Sequence, residues 1–311
     1  MKKQTKQHAK QKGIAVISAI LLAALITIVV GRMVWQQQLL ISELQNQQNA
    51  TQANLIADAA VQWTRALLVE DAKSSSIDYD KEVWATRLPN TPIEGGTITG
   101  HIVDAQQFFN LNNLVSETSA TGENLAAFKR LLSMAGDNEN MASALVDWVD
   151  ADDITNGAEG AESIYYGSLT TPYLAANQLL TEVGNLIRVK GFDKASINKI
   201  APYTVVLPEH TELNVNTASA EVLSFMLPNA TLQDAQAIVA VRNVAPFNDV
   251  ADFNARLPNK NIDTSRSNLA VNSRYFLVTC TAQFEKTTIK VQALLQRKGG
   301  GWPTVLWKKI G

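Results

Sequence analysis

KGIAVISAILLAALITIVVG, residues 12–31, decides how the rest of the chain is read. No charged side chain falls between Ile14 and Gly31. At about 1.5 Å of rise per residue the run reaches roughly 27 Å, the depth of a bilayer hydrocarbon core. Lys2, Lys3, Lys6, Lys10 and Lys12 precede it, and the first acidic residue is Glu43. The excess of lysine keeps the N-terminus cytoplasmic and directs the remainder across the membrane. An ordinary secretory signal is cut after its apolar core, at small residues. Here the glycine comes before the core, so cleavage is expected between Gly13 and Ile14, and the apolar segment stays on the mature chain.

Between Met33 and Glu70 there is no proline or glycine, and apolar residues recur at helical spacing through Leu39-Leu40-Ile41, Leu44, Ala53, Ile56, Ala60, Trp63 and Leu67-Leu68. The membrane helix is expected to continue into the exported part as one rod of roughly 80 Å. Such a helix needs neighbours along its length. The Gln-rich stretch Gln36 to Gln52 is a partly polar face that packs on like subunits or meets water. No strict heptad is kept, which argues against a regular coiled-coil stalk. The plainer alternative is a signal-anchor that only tethers a globular domain.

The chain has 311 residues, 46% of them hydrophobic, enough for a stalk and one or two domains. Its formal charge is −2, and loss of the five leader lysines leaves an exported part near −7, with His8 counted neutral. An acidic surface disfavours nucleic acid and suits divalent cations. Cys280 is the single cysteine, so no intrachain disulfide can form.

Lys73 to Asp80 is a serine-rich break, Glu94-Gly95-Gly96 a turn, and Thr97 to Asp104 an alternating strand. Tyr275 to Phe284 and Thr287 to Gln296 flank Glu285-Lys286 as a β-hairpin. Helices are expected at Leu125 to Met134, Met141 to Trp148, Glu182 to Val189, Ser219 to Met226 and Leu232 to Val241. The organisation is therefore a leader at 1–13, a long helix at 14–72 crossing the membrane over 14–31, a sheet region at 73–104 and 271–311, and an inserted helical domain at 105–270. The fold class is α+β.

Asp147, Asp150, Asp152, Asp153, Glu159 and Glu162 put six carboxylates within sixteen residues, interleaved with Asn156, Gly157 and Gly160. Like charges at that density repel unless a cation lies among them. Calcium takes six to eight oxygens in loose geometry, whereas magnesium demands a strict octahedron. The spacing is not that of an EF-hand: counted from Asp150, Ile154 stands at the fifth position and Thr155 where glycine is required. The alternative is a solvated acidic loop with Asp153 capping a turn. Zinc has no site, since His8, His101, His210 and Cys280 are scattered.

Leu213 to Leu223, Ala235 to Arg242 and Pro246-Phe247 look like a helix-hairpin-helix unit, which makes a membrane-tethered DNA-binding competence factor the competing function. A DNA-binding hairpin presents glycine amides and basic side chains to phosphate. Pro228-Asn-Ala-Thr-Leu232 has neither. Asn216-Thr217 is instead expected to cap the next helix, and the unit to pack against protein. No Gly-x-Ser-x-Gly, His-Glu-x-x-His or phosphate-loop motif is present, so no catalytic residue is assigned and the chain is not expected to be an enzyme.

The leader resembles those of type IV prepilin-like proteins. Glu82-Val-Trp84-Ala85, Glu94-Gly95-Gly96, Asp104 with Phe109-Asn110-Leu111-Asn112, Asp147-Trp148-Val-Asp150, Glu159-Gly-Ala-Glu162, Tyr165-Tyr166 and Asn214-Val-Asn216-Thr217-Ala218 are together similar to the type II secretion system protein K family, the large minor pseudopilins. That resemblance covers nearly the whole chain. It implies a pseudopilin fold with a helical domain inserted in its sheet, calcium in that domain, and a single pass of the bacterial inner membrane with the C-terminal domain in the periplasm. It also implies cleavage by a prepilin peptidase with methylation, a place at the pseudopilus tip initiating assembly for protein export, and partners among the pseudopilus subunits, minor pseudopilins I and J above all. Most pilin-like proteins carry glutamate at the fifth residue after the cut. Here that residue is Ser18, read as a determinant of the tip position.

Overall fold

The computed structural model describes residues 4–115, 122–284, 287–299 and 301–311, with only the backbone path for 4–13 and for Thr287. Lys2, Lys3 and the Glu285-Lys286 turn lie outside the described residues. Helix α1 runs without a break from Gln4 to Ser74. It therefore starts within residues 1–13, the stretch expected to be a leader, whose Lys and Gln residues are good helix formers and which carries only one glycine. One stretch of it is long and apolar enough to cross a membrane. Residues 14–48 touch little else in the chain, whereas Ala53, Ala57, Val61, Thr64 and Leu68 are buried. Their steps of four, four, three and four keep one face turned to the sheet.

That sheet has five antiparallel strands: β1 (Leu88–Ile93), β2 (Gly96–Asp104), β7 (Tyr275–Phe284), β8 (Thr287–Gln296) and β9 (Thr304–Ile310), in the order β1-β2-β7-β8-β9. Strand β2 pairs with β7 from Gly96 opposite Phe284 to Asp104 opposite Phe276, and β7 with β8 over their whole length. The hairpin β1–β2 turns at Glu94-Gly95, with Gly95 at φ +78°. A side chain at Gly96 would collide with the Gln283 carbonyl. The sequence pattern misses both edge strands. Strand β1 contains Pro89 and Pro92, which cannot donate to a ladder and are tolerated at an edge; β9 follows Trp302-Pro303. Of the buried α1 residues, Ala57, Val61 and Leu68 cluster with Trp84, Ile102, Phe276, Val278, Val291 and Leu295, and Ala53 with Ala282 and Phe284.

The chain between β2 and β7 forms the larger core. It holds α2 (Gly122–Met134), α3 (Met141–Val149), α4 (Ser163–Gly167), α5 (Lys194–Ile200), α6 (Ala220–Met226), α7 (Leu232–Val244) and α8 (Val250–Ala255). Two short parallel pairs tie it together: β3 (Phe109–Asn110) with β4 (Thr204–Val205), and β5 (Leu213–Asn214) with β6 (Leu269–Ala270). Buried asparagines extend these ladders. Asn112 donates to the carbonyls of Leu180 and Leu207 at 3.1 and 2.8 Å and accepts from the Leu180 amide at 2.9 Å, as a backbone peptide would. Asn216 does the same with the carbonyl and amide of Phe247, at 2.9 and 2.8 Å.

The structure departs from two of these expectations. The helix cap falls on Ser219, whose hydroxyl accepts from the Val222 amide, while Asn216 and Thr217 make tertiary contacts. Residues 183–188 form a 3-10 helix rather than an α-helix, and Gly184 lowers the cost of leaving the α form. Helices α4, α5 and α8 are too short for apolar periodicity to reveal. Between α6 and α7 the connection has Asn229 at φ +64° and a capping box formed by Thr231 and Asp234. The guanidinium of Arg242 is buried against the carbonyls of Val215 and Ala218, so the pair of helices is stitched to protein.

Candidate metal centre

Asp147 lies near the end of α3, fully buried. Its Oδ1 accepts from the Asn156 amide at 2.9 Å and its Oδ2 from the Ala161 amide at 2.6 Å. Both oxygens are thus committed to folding the loop back on α3. The loop must come close: a Cβ at Gly160 would run into that carboxylate, and Gly157 sits at φ +76°. Lys190 closes the far side by donating to the carbonyls of Glu159 and Gly160 at 3.3 and 3.5 Å while its ammonium sits over the Tyr165 ring. Trp148, Tyr166 and Tyr173 pack behind, with the Trp148 and Tyr166 rings 4.9 Å apart and edge to face.

The fold this produces gathers three of the six carboxylates. Asp150, Asp152 and Glu162 each bring one oxygen within 4.8 Å of the others. Asp147 is a positioning residue for the loop rather than a member of this group. Asp153 and Glu159 stay exposed; the first accepts from the Asn177 side chain at 3.4 Å, the second faces Lys190 at 3.8 Å. Asp152, not Asp153, forms the local turn, accepting from the Ile154 amide at 2.8 Å.

Glu162 is 2% exposed, and neither of its oxygens has a hydrogen-bond donor. The same is true of Asp150 Oδ1 and of Asn177 Oδ1. Burial first, then the charges of Asp147 and Asp150, push the Glu162 carboxyl up to about 7. Burial with Asp152 and Asp147 pushes Asp150 up to about 6. Unpartnered acceptors with no donor in reach fit a hard, oxygen-liganded cation of the calcium type. Asn177 escaped the sequence reading. It sits outside the acidic run, and what marks it is conformational: φ +44°, an amide donating to the Trp148 carbonyl, and a side-chain Nδ2 donating to the Asp152 carbonyl at 3.2 Å. Asp150 and Asn177 line an open cavity of about 670 Å³ with Asn112, Leu179, Pro208 and His210.

A second acidic group, Asp71, Asp78 and Glu82, comes equally close but already contains a cation. Arg297 contacts Asp71 at 2.9 Å and Asp78 at 2.5 Å, and Trp84 Nε1 donates to Glu82 at 2.7 Å. At the other end of the molecule the Ser18 hydroxyl donates to the Ile14 carbonyl at 2.9 Å, closing on its own helix. Gly13 and Ile14 lie within the continuous α1.

The type II secretion system (T2SS) protein K family matches residues 107–209 and 213–272. Type II secretion system protein K of Pseudomonas aeruginosa is 32% identical over 97% of this chain and 93% of its own length. The protein of that name from Klebsiella pneumoniae is 29% identical, over 93% of this chain and 94% of its own. Among solved structures, the GspK-GspI-GspJ complex from the enterotoxigenic Escherichia coli type 2 secretion system contains a chain of similar fold. Its TM-score is 0.74 at 23% identity, covering 86% of this chain and 99% of that one. The long apolar helix, the sheet packed on its second half and the matches across nearly the full length lead to one conclusion: the chain belongs to the type II secretion system protein K family and is a minor pseudopilin of type II secretion.

Proposed function

We propose that this chain caps the tip of the periplasmic pseudopilus and helps to initiate its assembly, anchored by α1 in the inner membrane. The observation that carries this reading is the exposed half of α1. From Ile14 to Leu44 its large apolar side chains, Leu21, Leu25, Ile28, Val34 and Leu40 among them, have no partner within the described chain. Lipid covers such a face before assembly, and the α1 helices of other subunits cover it afterwards. The insertion between β2 and β7 adds a bulk that a subunit stacked above would meet, which supports a terminal place. The partners by this reading are minor pseudopilins I and J, on the strength of the complex named for the structural relative. The role is assembly, with no catalytic step.

Two further parts belong to the proposal. A prepilin peptidase cuts between Gly13 and Ile14, so that the intact mass of the mature protein begins at Ile14. Calcium is held by Asp150, Asp152 and Glu162, with Asn177 beside them, and locks the loop that Asp147 folds. The test of the whole reading is co-purification of the detergent-solubilised chain with pseudopilins I and J from its own secretion system. A stable complex of all three is the expected result; a chain that elutes alone at micromolar concentration overturns it.

A further inference from the structure

The inserted domain leaves the sheet at Asp104 and returns through Val271 to Ser273, and a buried polar network closes the joint between these two crossings. Asp104 is 2% exposed. Its Oδ1 accepts from the Gln106 amide at 2.8 Å; its Oδ2 accepts from Asn214 Nδ2 at 2.9 Å, Thr217 Oγ1 at 2.5 Å and Ser273 Oγ at 2.7 Å. Asn214 and Thr217 belong to the inserted domain, Asp104 to the end of β2. The network continues through the Ser273 amide to Asp78 and from Asp78 to Arg297 and Asp71. It thereby joins the end of α1, the loop after it, both crossings, the inserted domain and the end of β8.

Charge does not balance in this joint. Asp71, Asp78, Glu82 and Asp104 are four carboxylates, and among the described residues Arg297 is the one cation hydrogen-bonded to them. Of the other charged groups nearby, Arg242 of α7 faces Asp80, Arg274 faces Glu209, and Asp80, Arg87 and His101 line, together with Asp104, an open cleft beside β2. Asp104 reaches Arg297 only through Ser273. Its other side-chain partners are Asn214 Nδ2, which only donates, and the hydroxyls of Thr217 and Ser273, which can donate to a carboxylate or accept from a carboxylic acid. Burial, opposed by these hydrogen bonds and reinforced by Asp78, pushes its carboxyl up to about 6.

We propose that Asp104 is a proton-operated catch that fastens the inserted domain to the sheet, holding the two tightly when the carboxyl is neutral and less tightly when it is ionised. A carboxyl titrating at about 6 in the fastened chain against 3.8 in the open one favours the fastened state at low pH, and that advantage is lost as pH rises through about 6.

Hydrogen exchange on the full-length protein in detergent, corrected for intrinsic rates, tests this at the Gln106 and Asn216 amides. Protection at pH 8 is expected to be about tenfold lower than at pH 5 through Asp104 alone. In Asp104→Asn, which is neutral at both, that tenfold component is expected to vanish. An equal pH dependence in wild type and variant overturns the proposal. Should the variant fail to fold, carbon NMR titration of Asp104 in the wild type decides: a midpoint near 6 supports the catch, and one at or below the ordinary carboxylate value overturns it.

Discussion

Glu162 is a buried carboxyl with two bare oxygens, an arrangement stable only if the carboxyl is protonated or a cation is bound. Glu162→Gln removes the charge at nearly constant volume. In chelator the variant is therefore expected to melt above the wild type, because the repulsion from Asp147 and Asp150 is gone. Calcium, by contrast, is expected to stabilise the wild type by about 2.7 kcal/mol at a hundredfold excess over Kd, and Glu162→Gln by much less. Calorimetry with calcium and with chelator measures both, and a variant that keeps the full calcium increment contradicts the assignment. Ser18 carries a different expectation. An uncompensated ion inside the bilayer costs about 2.5–3.5 kcal/mol at a helix centre, and a terminal subunit has no incoming amine above it to neutralise a carboxylate. Ser18→Glu is accordingly expected to leave secretion largely intact while allowing occasional internal incorporation, scored by immunogold position along filaments; a Ser18→Glu protein still confined to the end contradicts a determinant role for Ser18. At this scale the acidic run was legible as residue types, but the division of labour within it was not. Asp147 and Asp150 are equivalent as letters, and only the return of the loop onto α3 gives two amides to the first and none to Oδ1 of the second.

Along α1 the absence of proline and glycine from Met33 to Glu70 announced an unbroken rod, and the structure has one. Which face meets the sheet was not announced. The large residues Leu55 and Trp63 point to solvent, and the seam is made by Ala53, Ala57, Val61, Thr64 and Leu68. Small side chains let the helix axis approach the strands, a packing requirement that hydrophobicity alone does not encode. Leu68→Ala is expected to cost about 2–5 kcal/mol and Ala57→Leu about 1–3 kcal/mol, whereas Leu55→Ala is expected to change stability by no more than about 0.5 kcal/mol. Urea denaturation of the three variants checks the order, and a loss at Leu55 as large as at Leu68 contradicts the seam. The central hairpin was legible for the usual reason, alternation; β1 and β9 were hidden because proline and lysine at the edges break the strand pattern.

For the molecule as a whole, the order of elements already separates two units of different character, a helix-backed sheet and a helical insertion threaded between two of its central strands. The insertion has its own core around Phe109, Phe128 and Phe225 and meets the sheet again where Val205 and Leu207 pack on Tyr275 and Leu294. A filament whose subunits share α1 contacts can add such a unit where nothing stacks above it. The terminal place of this subunit is read out by gold labelling of the inserted domain on isolated pseudopili. A single label at one terminus of each filament is expected; label distributed along the shafts rules out the tip position.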